Sequence, residues 1–154
     1  MVTIDLITGF LGSGKTTFLK KYAEYLMDQG LHIGILENDF GAINVDMLML
    51  HELRGDQCEL EMIAGGCDAE SHRRRFRTKL ISMRMCGYDR VLVEPSGIYD
   101  VDEFFDVLRE EPLDQWYEIG NVIAILDARL ENNLSQQADY LLASEAANLS
   151  LIHI

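Results

Sequence analysis

An α/β fold, three layers built around a mainly parallel sheet, is what this sequence predicts, and three observations carry the prediction. Short apolar runs suited to strands alternate along the chain with segments of helical periodicity. The first run leads directly into Gly9-Phe10-Leu11-Gly12-Ser13-Gly14-Lys15-Thr16, a glycine-bearing loop that opens a helix. The later runs end in polar loops carrying an acid, and ligands of parallel sheets bind at the carboxyl ends of the strands.

In chain order, residues 2–8 read as the first strand and residues 9–14 as a tight loop. A helix follows over about 15–28, with Phe18, Leu19, Tyr22 and Leu26 on one face and Gly30 as a left-handed stop. Residues 31–36 form a second strand that ends in Glu37-Asn38-Asp39-Phe40-Gly41, and a helical stretch around 46–53 leads to Gly65-Gly66-Cys67. A basic helix spans about 71–85. The Val-Leu-Val run within 89–93 suits a strand buried on both faces and stops at Glu94-Pro95-Ser96-Gly97. Val101, Phe104, Phe105 and Leu108 sit at i, i+3, i+4 and i+7, the pattern of an amphipathic helix. A fourth strand at 122–126 closes on Asp127, and residues 135–148 form a last helix.

With 154 residues, 48% hydrophobic and 25% charged, the chain has the size and composition of one globular domain. There is no linker, repeat or low-complexity tract. The start, Met1-Val2-Thr3-Ile4-Asp5, has no basic region, and no apolar stretch approaches the ~20 residues of a membrane span. Cytoplasmic placement without a membrane partner is therefore the expectation. A net charge of −13 argues against nucleic acid, since phosphates would be repelled over most of the surface. Six of the 13 basic residues nevertheless crowd into one helix: Arg73, Arg74, Arg75, Arg77, Lys79 and Arg84. That run is read as a solvated face paired internally with acids, a partner or phosphate role being the alternative. Cys58, Cys67 and Cys86 cannot all pair within one chain, so free thiols or metal ligands are expected.

The loop at 9–16 fits G-x-x-x-x-G-K-[ST] at every position, which makes it a P-loop. Gly9, Gly12 and Gly14 let the backbone curl so that successive N–H groups, with those of Ser13 and the helix start, point inward as an anion nest. The helix adds its positive end. Lys15 is expected to reach the β- and γ-phosphates and the Thr16 hydroxyl to hold Mg²⁺. A triphosphate site also needs a second acid near the magnesium and a sensor of the γ-phosphate. Glu94, at the end of a buried strand, suits the first role and the backbone of Gly97 the second. Glu37 and Asp39 offer carboxylates to magnesium, to the attacking water or to a second metal. For each of these acids the plain alternative is a solvated turn, and Asp127 serves equally as a cap.

Thr8-Gly9-Phe10-Leu11-Gly12-Ser13-Gly14-Lys15-Thr16-Thr17, Glu37-Asn38-Asp39-Phe40-Gly41 and Glu94-Pro95-Ser96-Gly97, in that order, resemble the CobW/HypB/UreG family of P-loop GTPases, most closely its CobW-like branch. The resemblance runs from residue 1 to about 148. It implies a P-loop NTPase fold and a magnesium-dependent GTPase that couples GTP turnover to delivery of a metal, Zn²⁺ or Co²⁺, to a client metalloprotein. On that resemblance Glu94 belongs to the magnesium motif, Glu37 and Asp39 to a switch-like loop, and Thr17 to the nucleotide-binding set. Two departures stand out. The family's Cys-x-Cys-Cys appears here as Cys67-Asp68-Ala69, leaving Cys67 with Cys58, Asp68 and His72 as a possible mixed zinc site. The guanine-reading Asn-Lys-x-Asp is not reached. The chain is accordingly read as a partial GTPase domain over 1–148, incomplete at its C-terminus, with 149–154 a terminal tail of native or non-native origin. A P-loop small-molecule kinase and a non-catalytic nucleotide-gated module are the alternative functions, and a homo-oligomer is compatible with the sequence.

Overall fold

A computed structural model describes residues 1–9, 14–38, 50–63, 68–95, 101–125 and 151–153. Six strands form one sheet: β1 (Val2–Gly9), β2 (Ile33–Asn38), β3 (Cys58–Ile63), β4 (Arg90–Glu94), β5 (Tyr117–Ile125) and β6 (Leu151–His153). Their order is β3-β2-β4-β1-β5-β6, and every pairing within it is parallel. Four helices accompany them among the described residues: α1 (Lys15–Asp28), α2 (Ala69–Arg84), α3 (Val101–Arg109) and the single turn α4 (Leu113–Trp116).

Alternation along the strands divides the core in two. Ile7, Ile33, Ile35, Leu92 and Ile123 pack on one face with Leu19, Ala23 and Leu26 of α1. On the other face Ile4, Leu6, Val91 and Val93 pack against Phe76, Leu80 and Met83 of α2 and Phe104 and Val107 of α3. Phe76 and Phe104 stack with ring centroids 6.3 Å apart and no exposure, each burial contributing about 2–3 kcal/mol. Two apolar faces covered by helices give the three layers that the alternating pattern implies.

Differences from the sequence reading are local. Of the helical stretch expected around 46–53, residues 46–49 lie outside the described residues, Leu50 is helical and His51–Leu53 form a 3-10 turn. Residues 58–63 received no assignment yet form edge strand β3, and the strand expected at 122–126 begins five residues earlier, at Tyr117. Residues 151–153, set aside as tail, pair with β5. The helix expected over 135–148 lies outside the described residues. The basic run is largely paired, as expected: Arg73 and Arg77 both reach Glu110, and Lys79 Nζ lies 2.6 Å from Glu61. No described helix is long and apolar enough to cross a membrane.

Candidate nucleotide site

The chain leaves β1, skips one position to make β2 and β3, and returns to place β4 between β2 and β1. The carboxyl ends of β1, β2 and β4 therefore lie side by side, with the N-terminus of α1 over them. Gly9 and Gly14, at either end of the loop, have φ of 139° and 94°, values that L side chains rarely adopt. These angles turn the chain from strand into loop and from loop into helix.

The start of α1 is unusual for so acidic a protein. Helix N-termini favour Asp and Glu, and α2 and α3 carry them in their first turns. Neither a capping side chain nor an acid occupies the first turn of α1. Its N–H dipoles are thus available to a ligand that brings its own negative charge.

Lys15 and Thr16, both in that turn, are buried. Thr16 Oγ1 donates to Glu94 Oε1 at 3.0 Å, and Lys15 Nζ donates to the Pro95 carbonyl at 3.3 Å, so both side chains reach the end of β4. Glu94 and Glu37 are register partners on adjacent strands and are both 3% exposed. Alternation puts the pair on the α1 face with Leu92 and Ile35. Two buried carboxylates as neighbours repel unless cations lie near, and Lys15, buried with its Nζ on the Pro95 carbonyl, is a cation at the end of the same strand. As a donor set for magnesium, Thr16 and Glu94 are hard oxygen ligands of the right kind, drawn together from a helix start and a strand end. Thr17, also in the first turn of α1, is exposed. Gly12, Ser13, Asp39, Gly97 and Asp127 lie outside the described residues.

Cys58, proposed from the sequence as a zinc ligand with His72, is not brought near it. Cys58 begins β3, roughly 16 Å along the strand from its carboxyl end. It is buried on the α1 face, and burial pushes its thiol up to about 11, which disfavours the thiolate a metal needs. His72 stands on α2, across the sheet, 1% exposed, with Nδ1 3.0 Å from Glu103 Oε1 on α3. Asp68 caps α2, its Oδ1 accepting the Ser71 N–H at 2.7 Å. No cluster of three metal-ligating side chains occurs among the described residues, and Cys67 lies outside them.

One buried acid escaped the sequence reading as a structural element. Asp5, fully buried in β1, accepts from Arg90 Nε at 2.5 Å and Nη2 at 3.0 Å, from Tyr22 Oη at 2.8 Å and from the Asn121 N–H at 2.7 Å. It lies four residues before Gly9, about 13 Å from the phosphate loop. The signal was present, an acid inside an apolar strand, but that signal alone does not distinguish a structural network from a site.

A family model described as CobW/HypB/UreG, nucleotide-binding domain, matches residues 3–150. The chain is 31% identical over 131 residues to the zinc chaperone YeiR and 32% identical over 139 residues to the zinc chaperone YjiA, both of Escherichia coli K12. Those matches cover 84% and 82% of this chain and 39% and 41% of the relatives, so the chain spans about two-fifths of their length. Among solved structures, the signal recognition particle receptor FtsY of Elizabethkingia anophelis in complex with GDP superposes with a TM-score of 0.68 at 21% identity. That match covers 99% of this chain and 48% of the receptor. A Zn(II)-bound triple mutant of the YjiA GTPase gives 0.56 at 20% identity, covering 98% and 48%. At these identities the structural likeness supports the three-layer P-loop fold and nothing finer.

Proposed function

The chain belongs to the CobW/HypB/UreG family, and from that premise we propose that it binds and hydrolyses magnesium GTP and couples turnover to the delivery of a transition metal. The observation that carries this reading is the buried bond from Thr16 to Glu94, which joins the P-loop hydroxyl to the acid of the family's magnesium motif. Residues 9–16 bind the phosphates, with Gly9, Gly12, Ser13 and Gly14 as the proposed backbone donors and the N–H groups of Lys15, Thr16 and Thr17 the helix end. The Lys15 ammonium neutralises phosphate charge as the β–γ bond lengthens. Thr16 and Glu94 would hold a magnesium ion, which would supply positive charge to offset the negative charge that develops on the phosphates. Glu37, beside Glu94, and Asp39 are the proposed groups for the attacking water, and Gly97 the proposed sensor of the γ-phosphate.

For the metal, the names of the curated relatives favour zinc, and the thiolate of Cys67 is the proposed ligand from this chain, without Cys58 or His72. A client metalloprotein is the proposed recipient. GTP in preference to ATP rests on the family alone, as does placement in the cytoplasm. The domain, read from the sequence as 1–148, is proposed to extend to β6, which pairs with β5 in its sheet.

The test is a binding and phosphate-release assay with GTP and ATP, with and without Mg²⁺ and Zn²⁺, on the wild type and Lys15→Ala. Magnesium-dependent GTP binding lost in the variant is the expected result. Unchanged affinity in Lys15→Ala would refute the site, and a phosphorylated small molecule in place of free phosphate would favour the kinase.

A further inference from the structure

The sheet ends on β3, which among the described residues pairs only with β2 apart from a Gly55–Cys58 bridge in the turn before it. An unpaired strand edge offers backbone N–H and C=O groups to another chain. Beside this edge runs α2, and between the two lies a groove of about 620 Å³ lined by Met62, Ile63, Arg74, Arg75, Thr78, Lys79 and Ser82. Three of these residues are cations and none is an acid. Glu61 offsets Lys79, and the groove's positive charge is that of Arg74 and Arg75, both exposed, on a protein of net charge −13. The acids of β3 itself are engaged within the chain, Glu59 by the Tyr88 hydroxyl at 2.7 Å and Glu61 by Lys79. Arg74 meets Glu70 at 3.7 Å with both side chains more than 70% exposed, a pairing of little energetic weight. The floor is apolar, and Met62 is 40% exposed on an adaptable, polarizable side chain.

We propose that this groove is a docking site for an extended acidic segment of a partner protein, which adds to β3 as a further strand. An edge strand beside a helix is the arrangement in which main-chain bonds provide affinity and side chains from the helix read the peptide. Here Arg74 and Arg75 select acidic residues on the side facing α2, and Met62 takes an apolar one. A second copy of this chain fits poorly, because antiparallel pairing centred on Leu60 would set Glu59 against Glu61 of the copy and face one basic helix with another. The site is separate from the phosphate loop, and its occupation does not depend on the nucleotide reading.

The probe is a short end-blocked peptide of alternating valine and glutamate, compared with its valine–lysine counterpart and with a version N-methylated along one edge. Binding is followed by anisotropy and by the amide shifts of residues 58–63. The glutamate peptide should bind about tenfold or more tightly than the lysine one, and shift those amides. Arg74→Glu with Arg75→Glu, both at exposed positions, should reverse the preference while leaving the far-UV spectrum unchanged. N-methylation should abolish binding, since it removes the ladder. Equal binding of both peptides, undiminished binding of the N-methylated one, or β3 amides that do not shift would overturn the proposal. So would self-association of the chain that the double variant abolishes, or pelleting with phosphatidylserine vesicles in the absence of peptide binding.

Discussion

Replacing Asp5 with asparagine should destabilise the protein strongly and leave the phosphate site almost untouched. The carboxylate is fully buried and accepts four hydrogen bonds, two of them charge-assisted from Arg90, whose side chain is 21% exposed. Asparagine retains the shape but replaces an acceptor oxygen with a donor NH₂ and leaves the guanidinium without its counter-charge. Breaking one side of such a buried pair costs about 3–5 kcal/mol, against a total stability of about 5–15 kcal/mol. At about 2–4 °C per kcal/mol for a chain of this size, the melting temperature should fall by about 6–20 °C. Gly120 belongs to the same network, because a Cβ there would press on the Asp5 carboxylate and on Thr3 and Arg90. Scanning calorimetry would measure the loss, and a cycle with Arg90→Met would separate the pair from its surroundings. The double variant should recover part of the loss, since an apolar replacement leaves no buried charge unpaired. Nucleotide affinity below the melting transition should stay within about twofold, given the distance of about 13 Å to Gly9. A variant that melts like the wild type but no longer binds nucleotide would refute the structural role and make Asp5 part of the site.

Other outcomes follow from the same reasoning. Glu94→Gln keeps an acceptor for Thr16 but removes charge from the magnesium donors, so magnesium affinity or the hydrolysis rate should fall about 10- to 100-fold in titrations and turnover assays. Cys58 should resist iodoacetamide in the folded protein while the exposed Cys86 reacts, as peptide mapping would show. Because the folded-state value for Cys58 is raised from about 9 to about 11, its contribution to stability is complete below pH 9 and is lost as pH rises towards 11. Two pH units correspond to about 2–3 kcal/mol, and Cys58→Ala should flatten that stretch of the stability–pH curve even as it lowers the whole. Phe104→Ala should cost about 3–5 kcal/mol in denaturant titrations, because its ring is fully buried and packs on both Phe76 and Phe105.

Strands β1, β2 and β4 and helices α1, α2 and α3 were legible in the sequence because each has a strong local signature. The Val-Leu-Val run of β4 suits burial on both faces, and Val101, Phe104, Phe105 and Leu108 repeat at helical spacing, although Val107 rather than Phe105 is the more deeply buried. Edge strand β3 was hidden. Its Cys-Glu-Leu-Glu-Met-Ile alternates as a strand should, but its two acids suit an edge only where Tyr88 and Lys79, distant in sequence, satisfy them. The start of β5 was concealed in the same way by Glu118 and Asn121, which sit in a strand because Thr3 and Asp5 bond to them, and by Gly120, where a Cβ would press on Asp5.

The phosphate loop could be read from the sequence alone, since a nest of N–H groups needs glycines, a lysine and a hydroxyl at fixed offsets along one stretch of backbone. Its acid could be named but not joined to it: Thr16 and Glu94 are 78 residues apart, and only the insertion of β4 between β1 and β2 brings them to 3.0 Å. The same long-range order separated the sulfur and nitrogen candidates. Cys58 and His72 lie fourteen residues apart in the chain, but strand alternation and the helix crossover place them on opposite faces of the sheet. Nearness along the chain decides chemistry that one backbone segment can perform, and sheet topology decides the chemistry that needs two.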